Sequence, residues 1–169
     1  FPPHCVLCGG AIDGAWVLCP TCAGDLPELV GPRCRRCGEL LVEPTLDLCL
    51  PCGTQTRVVD RFDALGPYDG PWGELVRVLK FEKEPAVARF LVGRMVKWIG
   101  THDRLDMFDL ITFVPMSRRD RRRRGFNQAE LLARGVGRRL GRPVHRTLEK
   151  LCDTAPQARL SSKERRSNL

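Results

Sequence analysis

Four C-x-x-C pairs constrain this chain more than any other feature: Cys5/Cys8, Cys19/Cys22, Cys34/Cys37 and Cys49/Cys52. Gaps of ten, eleven and eleven residues separate them. Two thiolates set two residues apart can hold one Zn²⁺ from a tight turn, and four thiolates close a tetrahedral structural site. Eight cysteines therefore imply two Zn²⁺, each in a Cys₄ site. Gly9, Gly10 and Gly38 stand where knuckle turns need them. Hydrophobic residues here are few, chiefly Ile12, Trp16, Val17, Leu18, Leu40, Leu41 and Val42. So thin a core needs a further staple, and metal supplies it.

The competing reading is a disulfide framework. No charged segment followed by an apolar run opens the chain, so no secretory signal is read, and a cytoplasmic location with reduced thiols is expected. A redox role would not require four such pairs. His4 precedes Cys5, but the cysteines already fill both sites, so His4 is expected at the surface. Sequential pairing would group Cys5, Cys8, Cys19 and Cys22, then Cys34, Cys37, Cys49 and Cys52. It needs only local contacts. A cross-braced arrangement would join the first pair with the third and the second with the fourth, and is the less favoured alternative.

Charge is placed unevenly. Residues 1–55 hold three Lys and Arg against six Asp and Glu; residues 110–169 hold sixteen against five, within a chain of net charge +8. A polyanionic partner should therefore meet the last third and not the front. No run approaches the ~20 apolar residues of a membrane-spanning helix.

The stretch from Asp109 to Leu140 carries the second strong signal. An apolar run, Leu110 to Val114, ends in Pro115, and six arginines follow: Arg118, Arg119, Arg121, Arg122, Arg123 and Arg124. Gly125 then opens a helical pattern. Asn127 and Glu130 read as a capping pair, with the Asn side chain accepting the Glu130 N–H and Glu130 reaching back; Phe126 and Leu131 stand at staple positions. The reading is strand, basic loop, helix. Free N–H groups at a helix start favour an anion, and arginines add full charges with fork geometry for phosphate. We expect a phosphate or pyrophosphate site here, with Arg118, Arg119 and Arg124 as the charged contacts. Gly125 would allow close backbone approach. Arg121, Arg122 and Arg123 cannot all point inward as well and are expected in solvent. The competing reading is a solvated arginine surface.

Between these regions, Thr54 to Asp60 reads as a polar boundary and Arg61 to Tyr68 as a short strand. A helix starts near Pro71, with Trp72, Leu75, Val76 and Leu79 on one face, and another at Pro85, with Val87, Phe90, Leu91, Met95 and Trp98 as its buried stripe. Gly100 is expected to end it. Lys80 is a favourable charge at a helix C-terminus that could also reach an anion. His102 is expected to face solvent. After Leu140–Gly141, Arg142 to Arg146 reads as a second strand, which completes a βαβ unit and predicts a parallel sheet. Cys152 is unpaired and reads as a packed or exposed thiol. The expected organisation is a double zinc ribbon over residues 1–55 and an α/β domain over residues 56–169 whose sheet is incomplete, because one βαβ unit falls short of the usual four to six strands.

Together these features resemble the ComF family, competence-associated proteins similar to type I phosphoribosyltransferases. The matching residues are the cysteine knuckles, Leu79-Lys80-Phe81, V-P-M-S-R-R at Val114 to Arg119, and R-G-F-N-Q at Arg124 to Gln128. Thr154 with Gln157 and Arg165 with Asn168 complete the set. The resemblance implies a partial phosphoribosyltransferase-like sheet behind the ribbons. It implies that Met116 to Gly125, continuing through Asn127 and Gln128, is the pyrophosphate-binding loop, and that Thr154 to Asn168 is the loop covering the sugar-phosphate. It also implies phosphoribosyl pyrophosphate with Mg²⁺ as ligand. The family's acidic loop, paired aspartates followed by Thr-Thr-Gly, does not occur in this sequence, so the chain as given is not expected to catalyse transfer.

Two functions compete. One is a phosphoribosyltransferase-like protein binding phosphoribosyl pyrophosphate or pyrophosphate, linked by resemblance to competence and DNA uptake. There, arginine and backbone donors would stabilise departing pyrophosphate. The other is a zinc-dependent module for single-stranded nucleic acid without transferase activity, with DNA or DNA-uptake proteins as partners. That role calls for stacking aromatics, and between Met116 and Leu169 only Phe126 offers a six-membered aromatic ring.

Overall fold

The computed structural model describes all residues except 1–3, 15, 56–57, 83, 103–104, 152–159, 162–163 and 165–169. Cys152, Thr154, Gln157, Arg165 and Asn168 therefore lie outside the described residues. The chain divides into two compact units, Phe1–Val78 and Leu79–Leu169.

The first unit is built on a repeat. Cys5 donates its N–H to Gly10 O and Cys34 donates to Glu39 O, each at 2.8 Å; Gly9 and Gly38 close the turns onto Cys5 O and Cys34 O, also at 2.8 Å. Both glycines have positive φ, 72° and 77°, a conformation that disfavours any side chain. Antiparallel bridges follow at His4–Ala11 and Arg33–Leu40. Each half ends in a one-turn helix, α1 (Pro20–Gly24) and α2 (Leu50–Thr54). Cys19 and Cys49 cap them in near-identical extended conformations, and proline supplies the first-turn φ in both.

Helix α3 (Pro71–Phe81) begins in this unit. Trp72, Leu75, Val78 and Leu79 are its buried residues. The Trp72 indole N–H donates to Pro27 O at 2.7 Å, which ties α3 to the segment joining the two ribbon halves. Gly66 makes room for that indole, since a Cβ there would lie 2.0 Å from Trp72 Nε1. The expected strand at Arg61 to Tyr68 is not formed. Phe62 N–H reaches Arg35 O at 2.7 Å, and its ring covers Gly38. The turn-forming residues Gly66, Pro67 and Gly70 stop the pairing there.

The second unit holds α4 (Pro85–Thr101), a 3₁₀ turn (Leu105–Met107), α5 (Arg118–Arg124) and α6 (Gln128–Leu140). Helices α4 and α6 pack on each other. Gly135 permits the close approach, because a Cβ there would sit 2.6 Å from Val92 Cγ2. Val87, Ala88, Leu91 and Val92 of α4 and Ala133 and Val136 of α6 are buried. Helix α4 runs one residue past Gly100, and His102 caps it, with its ring stacked on Trp98 at 4.1 Å.

The expected parallel sheet is overturned. Among the described residues the only pairing between the two apolar segments is one parallel bridge, Ile111–Val144. Ile111 N–H donates to Pro143 O and His145 N–H to Ile111 O, both at 2.9 Å. Pro143 has no N–H to extend this ladder, Pro115 follows the first segment closely, and among the described residues neither segment bridges to a third. The described fold is helical, with extended segments between helices. The basic loop is corrected too. Arg118 to Arg124 is helix, begun by Ser117, whose Oγ accepts the Asp120 N–H at 3.1 Å. Among the described residues no helix is long and apolar enough to cross a membrane.

Candidate functional site

The cysteines converge as two tetrads. Cys5, Cys8, Cys19 and Cys22 bring their sulfurs within 4.8 Å of one another, and so do Cys34, Cys37, Cys49 and Cys52. None of the eight is in a disulfide. The grouping is sequential and not cross-braced. Four sulfurs each ~2.3 Å from one Zn²⁺ would stand about 3.8 Å apart. The observed separations of 3.9 Å for Cys8–Cys19 and 3.6 Å for Cys37–Cys49 fit that tetrahedron.

Electrostatics point the same way. Burial pushes the Cys5 thiol up, but backbone bonds from Cys19, Cys8 and Leu7 outweigh it and bring the pKa down to about 6. Cys34 falls to about 6 in the same manner, its burial outweighed by backbone bonds from Cys49, Arg36 and Cys37. One thiol in each tetrad moves the other way. Cys22 is pushed up to about 12, first by its hydrogen bond with Cys19. Cys37 also rises, because a lowering backbone bond from Glu39 is outweighed by burial and by bonds to Cys34 and Cys49. Four sulfurs this close can all be thiolates only around a cation, and soft thiolates select zinc.

The second site lies where α5 meets α6. Ser117, Asn127 and Gln128 are its buried polar residues. Asn127 Oδ1 accepts the Ala129 N–H at 3.0 Å, and its Nδ2 donates to Val114 O at 3.0 Å. The cap thus closes on Ala129 and not on Glu130, and the same amide pins the end of the first apolar segment to the start of α6. Glu130 turns to Arg134 at 2.9 Å and Arg121 at 3.6 Å. Gly125 caps α5 in the left-handed region, φ 86°, with its N–H on Arg121 O.

Of the six arginines Arg124 alone is half-buried; Arg118, Arg119, Arg121, Arg122 and Arg123 are exposed. Arg123 pairs with Asp120 at 2.8 Å. Helical periodicity sets Arg118 and Arg119 away from the side of α5 that carries Arg124. Arg124 reaches Gln128 Oε1 at 3.5 Å, and its guanidinium carbon lies 5.8 Å from the centre of the Phe81 ring. Arg124 Nε and Gln128 Nε2 are both buried, with no hydrogen-bond partner among the described residues. Lys80, beside Phe81 at the end of α3, is half-buried. Sequence reasoning missed two contributors. Phe81 entered only as part of a motif, and the Ser117-x-x-Asp120 cap, a legible helix-start signal, went unread.

A family model described as a double zinc ribbon domain matches residues 1–53. The chain is 30% identical to DNA utilization protein YhgH of Salmonella typhimurium over 173 residues, 99% of this chain and 75% of that one. It is 30% identical to competence protein F of Haemophilus influenzae over 175 residues, 100% of this chain and 75% of the relative. The YhgH protein of Escherichia coli K12 matches at 30% over 181 residues, again 99% and 75%. No solved structure matches. With two cysteine tetrads in place and relatives matched along essentially its whole length, the chain belongs to the ComF family.

Proposed function

We propose that this protein binds pyrophosphate, alone or as part of phosphoribosyl pyrophosphate, at the junction of α5 and α6, in the service of the DNA utilization and competence that its relatives' names describe. One observation carries the reading: Arg124 Nε and Gln128 Nε2 are neighbouring buried donors without acceptors among the described residues. Burying a donor unpaired costs about 1–3 kcal/mol, and an anion removes that cost. The first turn of α6 adds N–H groups and the positive end of its dipole. Gly125 keeps the approach open, Asn127 holds the helix start in place, and Lys80, Arg118 and Arg119 raise the local positive potential. The ribbon domain, residues 1–55, contributes two structural zinc ions.

Among the described residues no cluster of carboxylates gathers that could hold Mg²⁺. Asp120 is held by Arg123 and Glu130 by Arg134, and the cysteine tetrads are the only metal-ligating clusters among the described residues. Calorimetric titration of pyrophosphate tests the reading. Arg124→Ala should weaken binding by roughly tenfold to a hundredfold, the worth of one charge-assisted hydrogen bond. Arg122→Ala, on an exposed side chain, should change little. Equal losses would mean a diffuse basic surface and would remove the site.

A second reading, binding of single-stranded DNA, is favoured by the exposed Arg118, Arg119 and Arg122 within a segment of sixteen basic residues against five acidic. Counterion release then demands steep salt dependence. Binding that resists salt, or that a ribbon fragment of residues 1–55 reproduces, would dismiss it.

A further inference from the structure

We infer that the ligand of the α5–α6 junction is a nucleotide, with its phosphate on Arg124 and Gln128 and its base stacked on Phe81. This rests on the anion-binding reading above and adds an aromatic half to it. Phe81 ends α3 two residues after the buried Leu79 and three after the buried Val78, yet it is itself 65% exposed. An amphipathic helix with that register has no packing reason to present a phenyl ring to water. What the ring does contact is the Arg124 guanidinium, 5.8 Å from its centre. That distance is within cation–π range and ties the ring to the one arginine whose Nε is buried without an acceptor. Arginine occupies part of the ring's surroundings, and its exposure leaves π surface for a second planar group.

The buried side of the site is equally particular. Gln128 is 8% exposed, its Oε1 is engaged by Arg124, and its Nε2 lacks a partner among the described residues. Side-chain donors and an aromatic face therefore meet at one arginine. Pyrophosphate alone would use the donors and leave the ring wet. A phosphate attached to a base uses both, and stacking tolerates any base because each has a π face. The phosphate and base could belong to a free nucleoside diphosphate or to the 5′-phosphorylated end of a DNA strand, and the chemistry of recognition is shared.

The test is calorimetry on the whole chain with pyrophosphate, thymidine diphosphate, and a short oligothymidylate with and without a 5′-phosphate. Thymidine diphosphate should bind about tenfold more tightly than pyrophosphate, the gain expected from one stacked base. Phe81→Leu keeps an apolar side chain without a π face; it should erase that gain, weakening thymidine diphosphate about tenfold more than it weakens pyrophosphate. A 5′-phosphorylated strand that matches or exceeds the diphosphate, while its unphosphorylated twin falls behind, identifies a strand end as the source. A strand that falls behind the diphosphate identifies the free nucleotide. Thymidine diphosphate binding no better than pyrophosphate overturns the inference and leaves the anion site standing. Equal weakening of every ligand by Phe81→Leu also overturns it, because the ring would then serve only to hold Arg124. Failure of pyrophosphate to bind the unaltered chain removes both.

Discussion

Asn127 shows how much one side chain fixes at this site. Its carbonyl oxygen caps α6 and its amino group holds Val114 O, so both ends of one amide are committed. It is a positioning residue: one Nδ2 hydrogen goes to Val114 O, and a single amide hydrogen is left over. Asn127→Ala removes both bonds and should cost about 1–2 kcal/mol in urea denaturation. Asn127→Asp keeps the capping oxygen and loses the donor, so it should recover about half of that. If Asn127→Asp is as stable as the unaltered chain, the bond to Val114 carries nothing and the tie between segment and helix is illusory. Gln128, next in sequence, is as buried but half-engaged, with its Oε1 on Arg124 and its Nε2 without a partner among the described residues.

At the scale of elements, glycines set how closely pieces approach. A Cβ on Gly137 would lie 2.3 Å from Val144 Cγ2 and 2.8 Å from Arg142 O. Gly137→Ala should therefore wedge the segment around Val144 off α6, at about 1–3 kcal/mol. Gly100, where a Cβ would meet nothing, is the control. Gly100→Ala should stabilise by about 0.5–1 kcal/mol, because alanine is the better helix former. Destabilisation at both positions would point to backbone effects instead of contact. The helices were legible in proportion to their apolar period. Trp72, Leu75 and Leu79 announce α3, Val87 and Leu91 announce α4, and prolines and Gly141 mark the ends. Helix α5 carries no apolar residue between Arg118 and Arg124, so periodicity says nothing and only its cap could reveal it. The sheet was over-read. Leu110 to Val114 has a strand's composition, but pairing depends on partners and on N–H groups that Pro143 lacks, and no local pattern supplies those. At the α5–α6 junction, the motif located Arg124 and Gln128; their burial and the approach of Phe81 to Arg124 depend on tertiary packing, which spacing along the chain does not encode.

For the whole molecule, zinc is a folding term, because a structural site's binding energy is folding energy. Protein purified under reducing conditions should hold two zinc ions per chain, as two tetrads require. Cys19→Ser should halve that and unfold the first ribbon half. Retention of two ions by this variant would contradict the grouping. Acid should release the metal in a definite direction. Every ligand must be a thiolate to hold zinc, so protons compete with the metal at each sulfur as the pH falls. Zinc occupancy should fall as the pH is lowered; a loss that instead begins on raising pH would contradict this assignment.

The two halves of the ribbon repeat share a design but not an exposure. Cys8 of the first tetrad is open to water, whereas Cys34 and Cys52 of the second are 1% and 0% exposed. A chelator or an oxidant must reach a sulfur to begin exchange, so the two ions differ in lifetime even if their affinities match. Stopped-flow release into a chromogenic chelator should run in two phases of one equivalent each, the fast one lost in a Cys8→Ser variant. A single phase of two equivalents would show that access does not govern exchange. Where the phases separate, the first half becomes the clock of metal turnover and the second the anchor that survives it.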